Sequence, residues 1–261
     1  MRKKNAVSCA IIALVTLVGC EGSPVGPNTA AQESGGVDAM VAFSTTQGPR
    51  GLEALWLFNG TGRDLTGNHP CELIGNATFG YGPGRRGLHT EDASGYARYN
   101  PPIQVLSSGR ISCWFTLDET FAANPAFNNP IILIKSNRAG HHTGDFSVRL
   151  DPSDGKLWLV QEQDASTSTL NLKTQKANWP AGTYHVTIRW GANGREIWVA
   201  WAGGCDRVSD SSVSACFAAD ATEPWIASRA GDSPTTGLTI HHLAVWGVSG
   251  SAKPGVKAPA S

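Results

Sequence analysis

The sequence predicts an all-β fold of two antiparallel sheets packed face to face. Three observations predict it. Apolar residues recur with a period of two in run after run, turn-forming residues punctuate those runs, and no segment carries the spacing of an amphipathic helix. The 30 glycines and 15 prolines suit short strands joined by many turns. Nine tryptophans, an unusually high number, supply aromatic surface for a core or for ligand stacking.

The strand runs follow in order. Ala54, Trp56 and Phe58 alternate with Leu55 and Leu57. Ile111, Cys113, Phe115 and Leu117 alternate with Ser112, Trp114 and Thr116. Ile131 to Ile134 is a short apolar run. Phe146, Val148 and Leu150 alternate with Ser147 and Arg149, then turn through Asp151 to Gly155 into Lys156–Val160, which reads as a hairpin. Val186, Ile188 and Trp190 alternate with His185, Thr187 and Arg189, and the turn Gly191 to Gly194 leads into Ile197, Val199 and Trp201. A last run covers Leu238 to Val248. Alternation assigns Trp56, Trp190 and Trp201 to the core side, and Trp114, Trp158, Trp198 and Trp246 to the outer side.

The ends of the chain read differently. Arg2, Lys3 and Lys4 precede an apolar stretch from Ala6 to Val18, too short for a permanent membrane span. It ends in Leu17-Val18-Gly19-Cys20, which resembles the bacterial lipobox. That resemblance implies a signal peptide over 1–19, cleavage before Cys20, and a diacylglyceryl group on the Cys20 thiol with acylation, of the palmitate type, at the new terminus. The expectation is a lipoprotein of the bacterial cell envelope, anchored outside the cytoplasm at the outer membrane or cell surface. Residues 20–50, rich in Gly, Ser, Pro, Thr and Ala, read as a flexible tether, 51–249 as one domain, and 250–261 as a disordered tail.

Lys plus Arg and Asp plus Glu number 21 each, so the net charge is zero. Nothing in that balance suggests electrostatic attachment to nucleic acid or to an acidic membrane surface. Beyond the lipid site the domain holds Cys71, Cys113, Cys205 and Cys216. In an exported chain an even count permits disulfides. Cys205 and Cys216 flank a Ser-rich loop and are expected to pair, which leaves Cys71 with Cys113; three connectivities are formally possible.

Taken in order, several segments resemble the LamG-like jelly-roll family of the concanavalin A-like lectin and glucanase superfamily. They are Ala54-Leu-Trp-Leu-Phe58, Asp64-Leu-Thr-Gly-Asn68, Ile111-Ser-Cys-Trp-Phe115, Asp145-Phe-Ser-Val-Arg-Leu150, Gly182-Thr-Tyr-His-Val186 and Leu238 to Trp246. The resemblance implies a jelly-roll sandwich. This sequence departs from it at Ser94-Gly95, where the family often has paired aspartates, and at Ile240-His241-His242, where it often has Ile-Asp-Asp. Those lost acids weaken the case for a family-style calcium site.

Each candidate site has a structural alternative. Glycosidases on such a fold carry Glu-x-Asp-x-x-Glu so that two carboxylates share one groove, and no such pattern occurs here. No catalytic residue is therefore expected. Asp64 and Asn68 can offer oxygens to calcium, the one cofactor the sequence admits, but Asp64 capping its own turn is the favoured reading. Adjacent histidines such as His141-His142 and His241-His242 point to opposite faces of a strand and suit one metal ion poorly. The outer tryptophans carry the better signal. Trp114, Trp158 and Trp198 are expected to stack on a ligand, with Arg149, His185 and Gln161 bonding its hydroxyls. The expected function is non-catalytic recognition of a polysaccharide or of an envelope or extracellular protein. The alternatives are a structural or adhesive surface protein and a diverged hydrolase or lyase.

Overall fold

The computed structural model of the chain describes residues 51–82, 85–91, 95–103, 106–124, 130–137, 146–162, 169–212, 223–227 and 237–249. Cys20, Cys216, His141 and His142 lie outside these residues. The described residues form strands and turns and contain no helix. With strands numbered in chain order, one sheet runs β13 (Gly204–Asp210), β12 (Gly194–Trp201), β11 (Gly182–Gly191), β6 (Leu106–Leu117), β15 (Leu238–Ser249), β4 (Arg85–Thr90) and β3 (Thr78–Gly82). The eighth strand, β1 (Leu52–Trp56), also pairs with β15. The other sheet has seven strands: β10 (Thr169–Lys173), β9 (Lys156–Glu162), β8 (Phe146–Asp151), β7 (Ile131–Asn137), β14 (Glu223–Ile226), β5 (Tyr96–Tyr99) and β2 (Cys71–Ile74). Every strand pairing is antiparallel.

The period-2 pattern explains the burial. On β6, Ile111, Cys113, Phe115 and Leu117 are buried in the core, whereas Trp114 between them is only half-buried. On β11, Val186, Ile188 and Trp190 turn inward, and Arg189 is exposed. They meet Phe146, Val148, Leu157 and Leu159 of the second sheet in one apolar cluster. Gly109 leaves room for the Trp190 ring on the neighbouring strand of the same sheet. A Cβ there would strike the Trp190 ring and the Trp246 carbonyl oxygen, so the strand needs a glycine for close approach rather than for its dihedral freedom.

β6 and β15 form the spine of the larger sheet, paired from Leu238↔Leu117 to Ser249↔Leu106. A bulge between Ile240 and His242 takes His241 out of register, so that His242 stands opposite Trp114. One end of the sandwich is tied by Arg195. Its buried guanidinium donates to Asp210 Oδ1 at 3.1 Å, to Gln161 Oε1 at 3.0 Å and to the Leu170 carbonyl at 3.1 Å. This overturns the expectation for Gln161. It shares the parity of Leu157 and Leu159, is fully buried, and holds Arg195 across the two sheets.

The expected Cys71–Cys113 bond is also corrected: both thiols are free. Cys113 faces the core from β6, while Cys71 opens β2 in the other sheet opposite Tyr99. Burial pushes both thiols well above their ordinary range, and the Asp64 carboxylate adds to the effect at Cys71.

Candidate functional site

The outer face of the eight-stranded sheet gathers three cross-strand rows in register. The first is His242–Trp114–His185–Ala200 on β15, β6, β11 and β12. The second is Ala244–Ser112–Thr187–Trp198 on the same strands. The third is Trp246–Arg110–Arg189–Glu196. Successive rows lie two residues apart along each strand, about 6.6 Å.

The first row is a stack of rings. Trp114 and His185 lie 4.7 Å apart at 19°, and His242 sits 6.3 Å from Trp114 on the other side. The stack ends beyond His185 because the next residue, Ala200, is small. Trp198, one row over, meets His185 edge-on at 5.7 Å and 88°. Two aromatic planes at right angles thus border the space above Ala200. The second row is low between its neighbours: Ala244, Ser112 and Thr187 are buried although they point outward. Ser112 Oγ lies 2.8 Å from His185 Nε2, which fixes the imidazole edge, and the Thr187 hydroxyl is buried with no partner among the described residues. Burial against Trp114 and Trp198, aided by the Arg110 guanidinium, holds His185 down at about pKa 4, so the ring is neutral at pH 7. The result is a neutral, half-buried aromatic surface with hydroxyl and imidazole groups at its floor.

Of the residues expected to bind ligand, Trp114, Trp198 and His185 therefore come together. Trp158 and Arg149 do not join them. They stand on β9 and β8 and face outward from the seven-stranded sheet, on the opposite side of the sandwich. There Lys173 Nζ lies 3.5 Å from the centre of the Trp158 ring, and Arg149 lies 5.3 Å from it. The indole N–H donates to Asp154 Oδ1 at 2.8 Å, and Arg149 pairs with Asp151 at 3.1 Å. A lysine over the ring leaves less of Trp158 for a sugar than Trp198 offers. A second aromatic on this face, Trp225, packs against Tyr96 at 4.9 Å with Lys135 over its ring at 4.8 Å.

Asp64 is a turn cap. Its Oδ1 accepts from the backbone N–H of Leu55 at 2.7 Å and of Thr66 at 3.1 Å. Its Oδ2 accepts from the N–H of Asn68 at 3.0 Å and of His69 at 2.9 Å, and from the Thr66 hydroxyl. Both oxygens are occupied by donors, so neither is left for a cation, and Asn68 takes part through its backbone. This replaces the calcium reading of Asp64 and Asn68. Among the described residues no cluster of three or more His, Cys, Asp or Glu side chains could hold a metal ion.

His242, Ser112 and the arginine row have no signature that reads as a site in the sequence. Their signal lies in the alternation of β6 and β11, but it becomes visible only once those two strands are placed side by side.

No protein-family model matches the chain, and neither does any curated protein. Solved structures do resemble it. Domain 4 of AbnA, a GH43 extracellular arabinanase from Geobacillus stearothermophilus, solved in complex with arabinotriose, matches with a TM-score of 0.57 at 16% identity, covering 76% of this chain and 92% of that one. The botulinum neurotoxin serotype G binding domain matches with a TM-score of 0.53 at 11% identity, covering 74% of this chain and 47% of that one. These likenesses carry the fold alone, an all-β jelly-roll sandwich of two antiparallel sheets.

Proposed function

We propose that this protein is a lipid-anchored, non-catalytic recognition module that binds a polysaccharide on the outer face of its eight-stranded sheet. One observation carries the reading: Trp114, His185 and Trp198, drawn from three strands, assemble into a single neutral aromatic surface. Sugar rings present C–H faces to such surfaces, and an apolar patch with a few fixed polar groups is the usual composition of a binding site. The arabinotriose bound to the similar arabinanase domain is in keeping with it. The sequence contains no Glu-x-Asp-x-x-Glu, which supports binding without turnover. The lipobox at Leu17–Cys20 supports attachment outside the cytoplasm, with residues 20–50 as the tether.

Calorimetric titration against a panel of polysaccharides that includes arabinan tests the binding face. Trp114→Ala and Trp198→Ala are each expected to weaken binding at least tenfold, about 1.4 kcal/mol. Trp158→Ala, on the opposite face, is expected to leave it unchanged. Wild-type affinity in both Trp114→Ala and Trp198→Ala would sink the assignment. The anchor is checked separately by metabolic labelling with radioactive palmitate in a bacterial host. Cys20→Ala is expected to abolish the label and release the protein from the membrane fraction, and label retained in that variant would refute lipidation at Cys20.

A further inference from the structure

The third row of the same face carries an imbalance of charge. Arg110 and Arg189 stand directly opposite each other on β6 and β11, and both are exposed. Like charges at directly opposed positions of a sheet are destabilising. Among the described residues no carboxylate pairs with Arg110; its guanidinium lies over the Trp246 ring at 5.1 Å. Among the described residues Arg189 reaches only the Glu196 carboxylate, at 3.8 Å, and the other oxygen of that carboxylate already accepts the Arg207 Nε–H at 2.9 Å. Arg189 and Arg207 thus share one carboxylate, and Arg110 has none among the described residues. Burial and the neighbouring Arg189 both lower the proton affinity of Arg110, as expected for a cation that lacks a counter-ion.

The row lies about 6.6 Å from Trp198 and about 13 Å from the Trp114–His185 stack. That geometry places a positive edge beside an aromatic surface on one sheet face. From it we infer that the polysaccharide is acidic, carrying carboxylate groups on its sugar units, with the rings on Trp198 and Trp114 and a carboxylate between Arg110 and Arg189. The planar guanidinium fork matches a carboxylate in two parallel hydrogen bonds, and a bound anion removes the repulsion between the two arginines. This inference rests on the reading of the face as a polysaccharide site and adds the chemical class of its ligand.

The test uses the full chain and three uronate polymers, polygalacturonate, alginate and glucuronoxylan, each beside its carboxyl-reduced or methyl-esterified counterpart. At least one uronate polymer is expected to bind, and neutralising its carboxylates should weaken binding roughly ten- to a hundredfold. The double variant Arg110→Gln/Arg189→Gln should lose the same factor for the acid form and nothing for the neutral form. Arg110→Lys should recover only part of the loss, because lysine keeps the charge without the fork. In the absence of ligand, Arg189→Gln should raise the Tm by about 1–3 °C as the repulsion is relieved.

The contrary outcomes separate the two ideas. A neutral polymer that binds while all three uronates fail overturns the acidic class and leaves the recognition face standing. Uronate binding that survives intact in the double variant overturns the role of these two arginines. Dextran sulfate binding as tightly as the best uronate marks bare charge attraction and also overturns the inference. If no polymer of either kind binds, the recognition reading falls and takes the inference with it.

Discussion

Asp64→Ala is expected to cost the domain about 3–5 kcal/mol, at the upper end of what one side-chain truncation does to a folded domain. The reason lies in what the carboxylate does. Asp64 is buried, and its two oxygens accept the backbone N–H of Leu55 in β1 and, within the loop that follows, three more backbone N–H groups and one hydroxyl. Alanine would leave the donors of Leu55 and His69 buried without partners, and each such group costs about 1–3 kcal/mol. Those of Thr66 and Asn68 are nearer solvent, so water recovers part of their loss. The effect spreads because the loop also carries the His69 carbonyl that accepts from Trp56 Nε1 at 2.7 Å, and Trp56 is a core residue packed on Tyr99. Urea denaturation should show a lower midpoint at an unchanged slope. A chelator added to the wild-type protein should leave the midpoint where it is. A chelator-sensitive midpoint, with Asp64→Ala behaving like wild type in chelator, would restore the calcium reading.

The same residue shows where sequence reasoning succeeds and where it stops. Asp64 as a turn cap was legible because an aspartate beside Thr66 and Gly67 bonds its own backbone locally. The long central strands were legible for a similar reason. Ile111 to Leu117 and Val186 to Trp190 alternate strictly, since one face meets the core and the other does not. The short strands β2, β3, β4 and β5 were not legible. Segments such as Thr78–Gly82 and Tyr96–Tyr99 are short and hold glycines or arginines, so their strand character comes from partners distant in the chain. Trp179 was not legible either. It lies in no strand, yet it is fully buried, bridged to Phe121 and bonded through Nε1 to the Gly155 carbonyl at 2.8 Å.

The site was half legible for a related reason. Parity along a strand tells which side chains point outward. It does not tell from which sheet, so Trp158 and Arg149 group with Trp114, Trp198 and His185 by pattern although they stand on the opposite face. Sheet membership is decided by pairings such as β6 with β11, whose partners Trp114 and His185 lie 71 residues apart. The Arg110–Arg189 opposition depends on that same register. No local pattern in the sequence distinguishes it from two ordinary surface arginines.

Acidification from pH 7 to pH 4.5 is expected to weaken the fold through His185 by about 2 kcal/mol. The ring is held neutral down to about pH 4, against an ordinary value of 6.5, chiefly by burial and also by the Arg110 guanidinium. Between those values the unfolded chain takes up a proton at His185 and the folded chain does not. The unfolded state then binds more protons, so stability falls as pH is lowered through 6.5 and levels off below about 4, where both states are protonated. The full displacement of about 2.5 pKa units corresponds to about 3 kcal/mol at 1.36 kcal/mol per unit, and partial exposure of the ring together with the pH range sampled reduces it to about 2. His185→Gln cannot titrate. The difference in Tm between pH 7 and pH 4.5 should therefore be smaller in that variant than in wild type by about 4–8 °C. Both proteins share every other titrating group, so the comparison isolates this ring. An identical pH response in the two would mean that His185 is solvated and charged at mild acidity. The stack on Trp114 would then not be the neutral surface on which the proposed sugar site depends. A charged imidazole would extend the positive edge at Arg110 into the aromatic row, and the division of this face into a stacking part and an anion-binding part would fail with it.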